Sequence, residues 1–362
     1  PLNDTNDTTP LISGSVADVP VGTTVTLVIT DSNGVVQTIT TTTNAQGVWQ
    51  VETLNELAEG DYTVTASASD EAGNTSSATA TGTIDLTAPI ININAIADSN
   101  DTTPTISGTT QGLNAGSTVT VTVTDSNGSA QVFATVTNAD GSWSINIDQE
   151  LAEGEFTVVA QTQDEAGNSA QDIETGVIDL TAPTITIDEF NDSNDVTPII
   201  SGVVSGVDAG SVVTIILVDS NGNQQILTTT VNADSSWQVG ANQVLAEGEF
   251  TITATVSDPA GNQAQDTTTG IIDLTAPIIS LDNLGSSADN TPTISGTVQG
   301  VAAGTPVTLV VIDANGNSQT FTAITNDNGV FSADVPGSLA DGQYTVTATV
   351  SDLAGNQASD SE

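Results

Sequence analysis

Apolar and polar residues alternate along several short stretches of this chain, most regularly between residues 118 and 124. In Thr118-Val-Thr-Val-Thr-Val-Thr124, a strand places every valine on one face and every threonine on the other. The surrounding segment contains six more such stretches: 90–94, 105–109, 130–137, 143–147, 156–162 and 170–178. Turn residues separate them about every 8–12 positions, and no helical period occurs. The pattern predicts a β-sandwich of seven short strands, with a type I′ hairpin at Asn127-Gly128.

The whole pattern recurs at a constant step of 94 residues, without insertions or deletions. A Thr-Pro pair and a large ring mark each copy; the pairs begin at Thr9, Thr103, Thr197 and Thr291, and the rings are Trp49, Trp143, Trp237 and Phe331. We expect an all-β fold of four tandem immunoglobulin-like or fibronectin III-like β-sandwiches, arranged end to end, with each ring in a core. The predicted modules are 1–85, 86–179, 180–273 and 274–362. The first lacks its first strand, and the last stops short of a complete final strand.

All charged residues are acidic. The chain has 45 Asp and Glu and no Lys, Arg or His, which gives a formal net charge of −45. Because phosphate contacts need Lys or Arg, this excludes nucleic acid and anionic membrane surfaces as partners. Cys is absent, so disulfides cannot stabilise the fold, and no run of 18 apolar residues predicts a membrane span in this segment. Patterned Val, Ile and Thr, with an apolar fraction of 37%, favour folded β-structure over disorder.

The chain is also poor in residues that carry out catalysis. His, Cys and Lys, the usual bases and activated nucleophiles, are absent. A pair of carboxylates can hydrolyse a glycoside, but here the pair has to occur four times, in loops that turn chemistry already explains. We therefore predict that the chain is not an enzyme and has no catalytic residue.

Several motifs recur in the same order in each copy. In the second copy they are Val-Thr-Asp-Ser-Asn-Gly at 123–128, Asn-Ala-Asp-Gly-Ser-Trp at 138–143, Leu-Ala-Glu-Gly-Glu-Phe-Thr at 151–157, Asp-Glu-Ala-Gly-Asn at 164–168 and Ile-Asp-Leu-Thr-Ala-Pro at 178–183. This set resembles the bacterial Ig-like tandem repeats of RTX-type, type I-secreted giant surface adhesins of Gram-negative bacteria. The resemblance implies an extracellular stalk of many such domains with calcium between them. It also implies that a distal region, outside this segment, binds the surface or host ligand.

Acidic residues fall at both poles of the predicted sandwich. The Asp-x-Ala-Gly-Asn loop lies at the N-terminal pole of its module, whereas the loop after the first strand and the end of the last strand lie at the C-terminal pole. In a head-to-tail array, the C-terminal pole of one module meets the N-terminal pole of the next. The sets expected to meet are Asp4, Asp7 and Asp85 with Asp164 and Asn168; Asp98, Asp101 and Asp179 with Asp258 and Asn262; and Asp192, Asp195 and Asp273 with Asp352 and Asn356.

Charge repulsion predicts a cation in these sets. Four carboxylates about 6 Å apart repel one another by roughly 4–17 kcal/mol in total, depending on the effective dielectric constant. Carboxylate, amide and carbonyl oxygens suit Ca²⁺, whereas Mg²⁺ fits less well because it keeps its own waters. Without Cys or His, zinc is implausible. We therefore predict Ca²⁺ at the three junctions, with the fifteen residues above as its ligands.

Other interpretations of these residues stay open. Asp and Asn cap their own backbone in turns, so the Asp-x-Ala-Gly-Asn loop can be a turn alone. The same holds for the Asp that opens each Asp-Ser-Asn-Gly-type turn, namely Asp31, Asp125, Asp219 and Asp313. Another acidic series, consisting of Glu59, Glu153, Glu247 and Asp341, can supply secondary ligands or solvated charge.

Two functions compete with a calcium-stiffened stalk. One is a ligand-binding adhesive module, which usually shows one copy with an elaborated loop, unlike these copies of equal length. The other is a subunit of a self-assembling extracellular filament or surface layer, which the sequence does not exclude. In a stalk, the expected partners of each module are its neighbours in the same chain.

Overall fold

A computed structural model describes residues 2–362 of the chain. These residues form strands and connecting turns, which confirms the predicted all-β class. None of them forms a helix long and apolar enough to cross a membrane. The chain divides into two compact units, residues 1–180 and 181–362, and each unit contains two β-sandwiches.

The first unit contains a six-stranded and a seven-stranded sandwich. The strands of the first are β1 (Leu11–Ser15), β2 (Thr24–Thr30), β3 (Val36–Thr42), β4 (Val48–Glu52), β5 (Gly60–Ser69) and β6 (Thr75–Ile84). Those of the second are β7 (Ile90–Ile93), β8 (Thr105–Gln111), β9 (Thr118–Thr124), β10 (Ala130–Val136), β11 (Ser142–Asn146), β12 (Gly154–Gln163) and β13 (Ser169–Ile178). The sheets have the orders β1-β4 and β3-β2-β5-β6, then β11-β8-β7 and β10-β9-β12-β13, all antiparallel.

The second unit contains two seven-stranded sandwiches with the same topology. The strands of the first are β14 (Thr184–Ile187), β15 (Ile199–Ser205), β16 (Val212–Val218), β17 (Gln224–Thr230), β18 (Ser236–Gly240), β19 (Gly248–Ser257) and β20 (Gln263–Ile272). Those of the second are β21 (Ile278–Leu281), β22 (Thr293–Gln299), β23 (Pro306–Ile312), β24 (Ser318–Ile324), β25 (Val330–Asp334), β26 (Thr345–Ser351) and β27 (Gln357–Ser361). The sheets have the orders β14-β15-β18 and β17-β16-β19-β20, then β21-β22-β25 and β24-β23-β26-β27.

The alternating pattern places side chains as predicted. Val119, Val121 and Val123 of β9 are fully buried, while the threonines between them face outward and are partly exposed. All seven strands predicted for residues 86–179 are present, and their ends differ from the prediction by at most two residues. Sheet-on-sheet burial of one strand face therefore accounts for the main pattern of the sequence.

Each sandwich buries one large ring from the strand equivalent to β11. Trp143, Trp237 and Phe331 are 1% exposed and Trp49 is 7% exposed, which confirms their predicted place in the cores. Each ring covers a glycine of the neighbouring strand; a Cβ on Gly108, for example, would lie 2.4 Å from the Trp143 ring. Each ring is thus packed inside its sandwich against the backbone of a neighbouring strand.

The turn after β9 is not the predicted type I′ hairpin. A type I′ turn needs positive φ at both central residues, but here only Gly128 has a positive φ, of 80°. The Gly128 N–H donates to the Asp125 carbonyl at 2.9 Å and closes the turn around Ser126 and Asn127. Asp125 stabilises this geometry, because its Oδ1 accepts the N–H groups of Asn127 and Ser129. The carboxylate therefore stabilises the hairpin turn that forms here.

A parallel bridge fixes the end of the last strand in three sandwiches. The bridges pair Thr5 with Ile84, Ser99 with Ile178 and Ser193 with Ile272. In the second sandwich, the Ser99 N–H donates to the Val177 carbonyl and the Asp179 N–H donates to the Ser99 carbonyl, both at 3.0 Å. Because of this pairing, the linker aspartate lies beside the loop that follows the first strand.

Candidate functional site

Hydrogen bonds join the two sandwiches of the first unit. The Asn6 N–H, from the C-terminal pole of the first sandwich, donates to the Ala166 carbonyl of the second at 3.0 Å. Nδ2 of Asn168 donates to the Asp85 carbonyl at 2.9 Å. Gly167, whose φ is 100°, brings the loop backbone close to the Asn6 side chain. The Asp-x-Ala-Gly-Asn loop of the second module therefore meets the first module at the pole that the topology predicts.

The same junction occurs in the second unit, 188 residues further along the chain. The Asn194 N–H donates to the Ala354 carbonyl at 3.1 Å, and Nδ2 of Asn356 donates to the Asp273 carbonyl at 2.8 Å. Two pairs of modules with different side chains elsewhere thus form the same two contacts. We name this pair of hydrogen bonds the junction contact.

The Asp of the Asp-x-Ala-Gly-Asn loop is engaged within its own turn. Oδ1 of Asp164 accepts the N–H groups of Gly167 and Asn168 at 2.8 Å, and Oδ2 accepts Nδ2 of Asn168 at 3.0 Å. Burial raises the pKa of Asp164, but the hydrogen bonds from Asn168, Gly167 and Ala166 outweigh it and hold the pKa below its ordinary value. The single Asn168 amide therefore links the ionised Asp164 to the neighbouring module.

The partner residues at the C-terminal pole of the first module also lie in turns. Oδ1 of Asp7 accepts the N–H and the hydroxyl of Thr9 at 2.9 and 3.1 Å, and Oδ1 of Asp85 accepts the Thr87 N–H at 2.9 Å. Asp4 is exposed; burial and, after it, the charge of Asp4 raise the pKa of Tyr62. Asp7 and Asp85 thus stabilise local turns.

The corresponding residues of the second unit behave in the same way. Oδ1 of Asp195 accepts the Thr197 N–H, and Oδ1 of Asp273 accepts the Thr275 N–H, both at 2.9 Å. Asp352 accepts the N–H and Nδ2 of Asn356 at 2.8 and 3.0 Å, while Asp192 is exposed.

The second predicted set is divided between the two units. In the first unit, Asp98 is exposed, Oδ1 of Asp101 accepts the Thr103 N–H at 2.9 Å, and the Asp179 N–H donates to Ser99. In the second unit, Oδ1 and Oδ2 of Asp258 accept the N–H and Nδ2 of Asn262 at 2.8 and 2.9 Å. The Asp258 turn is therefore built like that of Asp164.

The donor chemistry of these residues fits Ca²⁺, but the carboxylates are not gathered around a point. Among residues 2–362, no three Asp or Glu side chains are placed so that they could hold a metal ion. Many of the carboxylates instead accept hydrogen bonds from their own loops, as the Asp7 and Asp164 bonds show. These bonds engage only Oδ1 of Asp7 and of Asp85, so the second oxygen of each can take part in coordination. Calcium ligation by the predicted residues stays a prediction.

The aspartates of the Asp-Ser-Asn-Gly-type turns have a structural role. Asp219 is 6% exposed; its Oδ1 accepts the N–H groups of Asn221 and Asn223, and its Oδ2 accepts Nδ2 of Asn223 and the N–H of Ala246. The hydrogen bond from Asn223, more than the opposing effect of burial, holds the pKa of Asp219 below its ordinary value. The carboxylate thus connects two loops of its own module.

The glutamate series has a contact that neither interpretation named. Oε1 of Glu59 accepts the Thr87 hydroxyl at 2.7 Å, and Oε1 of Glu247 accepts the Thr275 hydroxyl at 2.6 Å. Thr87 and Thr275 occupy the same place in the Ile-Asp-Leu-Thr-Ala-Pro linker. These glutamates therefore hold the start of the linker against the module that it leaves.

Surface grooves recur from module to module. A polar groove between the strands equivalent to β9, β12 and β13 is lined by Thr118, Gln161 and Asp164 in the second module, and by Thr24, Ser67 and Asp70 in the first. The third module has it at Val212, Thr255 and Asp258. The groove therefore recurs in the first three modules.

Sequence reasoning missed the backbone half of the junction contact. Asn6 and Asn194 precede an Asp in a recurring Asn-Asp pair that also occurs at Asn100. The step of 94 marks these asparagines as candidates, but a carbonyl acceptor such as that of Ala166 has no sequence signal.

The sequence of the chain matches models of a known domain family. Models of the bacterial Ig-like domain match residues 3–86, 96–180, 173–274 and 280–362, and a model of its group 3 matches 47–132. No curated protein sequence matches the chain.

Three solved structures are similar in sequence. A tetra-tandem repeat in the extending region of a large adhesion protein is 32% identical, covering 98% of this chain and 94% of that chain with a TM-score of 0.39. A Ca²⁺-stabilized adhesin that helps an Antarctic bacterium reach out and bind ice is 29% identical, covering 99% and 94% with a TM-score of 0.36. A 1.5-MDa bacterial ice-binding adhesin, studied for host cell surface retention, is 25% identical, covering 76% and 97% with a TM-score of 0.35.

Proposed function

Because the chain belongs to the bacterial Ig-like domain family, we propose that it is an extender segment of a large bacterial cell-surface adhesin. The observation that carries this proposal is the junction contact, which is formed by Asn6 and Asn168 in one unit and by Asn194 and Asn356 in the other. A spacer must resist bending where its modules meet, and repeated hydrogen bonds at that point restrict bending. The 32% sequence identity to an extending region of a large adhesion protein supports the same role.

Calcium is the proposed cofactor, at the junctions between modules. One similar protein is described as a Ca²⁺-stabilized adhesin, and the acidic residues at the poles of this chain offer only oxygen ligands. In this proposal, the second oxygens of Asp7 and Asp85, with Asp164 and Asn168, turn toward an ion when it binds. Binding free energy then adds to the stability of the folded array.

The charge of −45 suggests how such a segment is exported. At low cytosolic Ca²⁺, self-repulsion disfavours the compact chain, which suits RTX-type, type I secretion of an unfolded polypeptide. Outside the cell, millimolar Ca²⁺ neutralises the poles and drives folding at the bacterial surface. The chain carries no catalytic role in this proposal, and a distal region binds the surface or host ligand.

Small-angle scattering of the 362-residue chain tests the extender role. We expect a longer maximum dimension in Ca²⁺ than in chelator, with each module adding about 40 Å along the array. Replacing Asp85→Asn, which keeps the size of the side chain but removes a charge, should weaken Ca²⁺ binding at the junction of the first and second modules only. The variant should therefore be shorter than wild type at limiting Ca²⁺ and equal to it at saturation.

Two outcomes contradict parts of this proposal. Equal dimensions of Asp85→Asn and wild type throughout a titration that extends the wild type exclude Asp85 as a ligand. A wild type that is equally compact in Ca²⁺ and in chelator contradicts the calcium-stiffened stalk. Electron microscopy of intact cells distinguishes a stalk from a self-assembled filament or surface layer.

A further inference from the structure

A carboxylate on the last strand holds the first strand of three sandwiches. Oδ2 of Asp172, on β13, accepts the Ile93 N–H of β7 at 2.7 Å. Asp266 on β20 accepts the Ile187 N–H, and Asp360 on β27 accepts the Leu281 N–H, both at 2.8 Å. The three aspartates are 94 residues apart, and all three bonds are partly buried. We name these residues the clamp aspartates.

The clamp aspartates connect two sheets that share no ladder. β7 is the edge of the sheet β11-β8-β7, and β13 is the edge of the sheet β10-β9-β12-β13. β7 and β13 lie against each other, but β7 pairs only with β8. An outward N–H of an edge strand has no partner in its own sheet, and Asp172 provides one for Ile93. The carboxylate thus closes the side of the sandwich at which both terminal strands lie.

The two terminal segments run side by side in the same direction. Asp172 lies 79 positions after Ile93, and the parallel bridge pairs Ile178 with Ser99, again 79 positions apart. Residues 93–99 therefore follow residues 172–178 in constant register, held by the carboxylate at the start and by backbone hydrogen bonds at the end. Asp266 and the bridge of Ile272 to Ser193 repeat this arrangement.

This geometry determines how a module carries tension. The chain enters the second module just before β7 and leaves it just after β13, so a pull on the whole chain draws two parallel segments in opposite directions along one axis. All links between them are then loaded together instead of one after another. Resting on the proposed extender function, we propose that Asp172, Asp266 and Asp360 are load-bearing residues that resist the forced separation of the first and last strands.

The first module supplies an internal comparison. The position equivalent to Asp172 is Ala78, so this module has no clamp aspartate. Its parallel bridge, Thr5 with Ile84, is present. Pulled in the same molecule, the first module and the other three therefore differ in this side chain and in the first strand, which the described part of the first module lacks.

Constant-force spectroscopy of the full chain, held by its ends, tests the proposal. Each unfolding module releases about 300 Å of chain, at about 3.3–3.6 Å per residue, so the four events can be counted. In the triple variant Asp172→Ala, Asp266→Ala and Asp360→Ala, three of the four lifetimes should become about tenfold shorter, which corresponds to about 1.4 kcal/mol of barrier. The remaining lifetime, that of the first module with its Ala78, should not change. Asp172→Asn keeps an acceptor oxygen and should give an intermediate lifetime.

Two matched controls separate load bearing from general stability. Glu174→Ala removes a charge from an exposed site on the same strand and should leave all lifetimes unchanged. Asp125→Ala removes hydrogen bonds of the turn between β9 and β10, away from the terminal strands. It should lower the urea midpoint of the module while shortening its lifetime under force less than Asp172→Ala does.

Specific results overturn the proposal. Unchanged lifetimes in the triple variant exclude a load-bearing role. The same conclusion follows if Asp125→Ala and Asp172→Ala shorten the lifetime equally for the same loss of unfolding free energy. Failure of the extender function appears differently, in the wild type, as the absence of distinct unfolding events at forces that straighten the chain. Circular dichroism of each variant confirms that the sandwiches are folded before they are pulled.

Discussion

Ala72 and Ala166 occupy the same place in the Asp-x-Ala-Gly-Asn loops of the first and second modules, yet Ala72 is exposed and Ala166 is only 8% exposed. Both loops form the same turn, in which an Asp accepts the backbone and side-chain amides of the Asn four residues later. What differs is the neighbour, because the first module lies against the second loop. The turn is therefore autonomous, and the neighbouring module adds burial and the junction contact to it.

The pKa values of the two aspartates express this difference. Hydrogen bonds from Asn74, with burial opposing them, lower the pKa of Asp70. At Asp164 burial has the largest effect and raises the pKa, and the loop hydrogen bonds then overcome it. The pKa of both carboxylates therefore lies below its ordinary value, but burial is the largest single effect only at Asp164. A second difference is the first strand, since the second module has β7 and the first module has no equivalent among the described residues.

The largest effect expected from this second difference is at the glycine that faces the core ring. A Cβ on Gly108 would lie 2.1 Å from the Asn92 carbonyl of β7, whereas on Gly14 it would meet only the Trp49 ring, at 2.4 Å. A ring can shift, but a paired backbone carbonyl cannot without loss of the strand. We expect Gly14→Ala to cost about 1–3 kcal/mol of overpacking and Gly108→Ala more than that.

Urea unfolding measures this comparison if each module reports separately. Replacing two of Trp49, Trp143 and Trp237 by Phe leaves one tryptophan as the fluorescent reporter of its own module. If Gly14→Ala and Gly108→Ala lower the free energy of unfolding equally, the backbone of β7 can shift as easily as the tryptophan ring.

A smaller effect is expected at the junction. Nδ2 of Asn74 donates only to Asp70, but that of Asn168 donates both to Asp164 and to the Asp85 carbonyl. Asn168→Ala should therefore cost about 1–2 kcal/mol, and Asn74→Ala about half as much. Hydrogen exchange gives the sharper readout, because only Asn168→Ala should accelerate exchange of the Asn6 N–H. Unchanged exchange at Asn6 would mean that the backbone half of the junction contact is independent of the Asn168 side chain.

Acid should affect the two loops in the same direction. A lowered folded-state pKa gives stability that is fully present above the unfolded value of about 3.9 and is lost as pH falls through the folded pKa. Below about pH 4, both modules should therefore lose stability. Asp70→Asn should reduce this pH dependence in the first module, and Asp164→Asn should reduce it in the second. High salt should screen the contribution of Asp70, whose hydrogen bonds are exposed, more than that of Asp164, whose hydrogen bonds are partly buried. Urea unfolding between pH 2 and 6 at two salt concentrations measures both effects. If the unfolding free energy of Asp164→Asn depends on pH as steeply as that of wild type, Asp164 does not cause the loss of stability in acid.

The sequence allowed the fold to be predicted because burial of one strand face imposes a period of two, as in Val119, Val121 and Val123. It also indicated the turns at Asp125 and Asp164, since an Asp that caps its own loop is a local feature. Which hairpin forms at Asn127-Gly128 was predicted wrongly, because the Asp125 carboxylate competes with the intrinsic preference of that pair. The Asn6–Ala166 bond depends on the approach of two modules, which no local pattern encodes. Asp172, Asp266 and Asp360 were visible as a series, but a strand-face carboxylate looks like ordinary surface charge until its partner is known.

The smallest effect is expected at the core ring itself. Nε1 of Trp49 and Nε1 of Trp143 are buried and have no hydrogen-bond partner among the described residues. Trp→Phe removes this unsatisfied donor, a gain of about 1–3 kcal/mol, while the smaller ring loses packing of similar size. Phe331 shows that the site accepts Phe in the fourth module. We therefore expect Trp49→Phe and Trp143→Phe each to change stability by less than about 1 kcal/mol, with differential scanning calorimetry as the measurement.

The reverse change, Phe331→Trp, introduces a buried donor and a larger ring above Gly296, and should destabilise the fourth module. A large loss in Trp143→Phe together with a neutral Phe331→Trp would show that indole packing outweighs the unsatisfied donor.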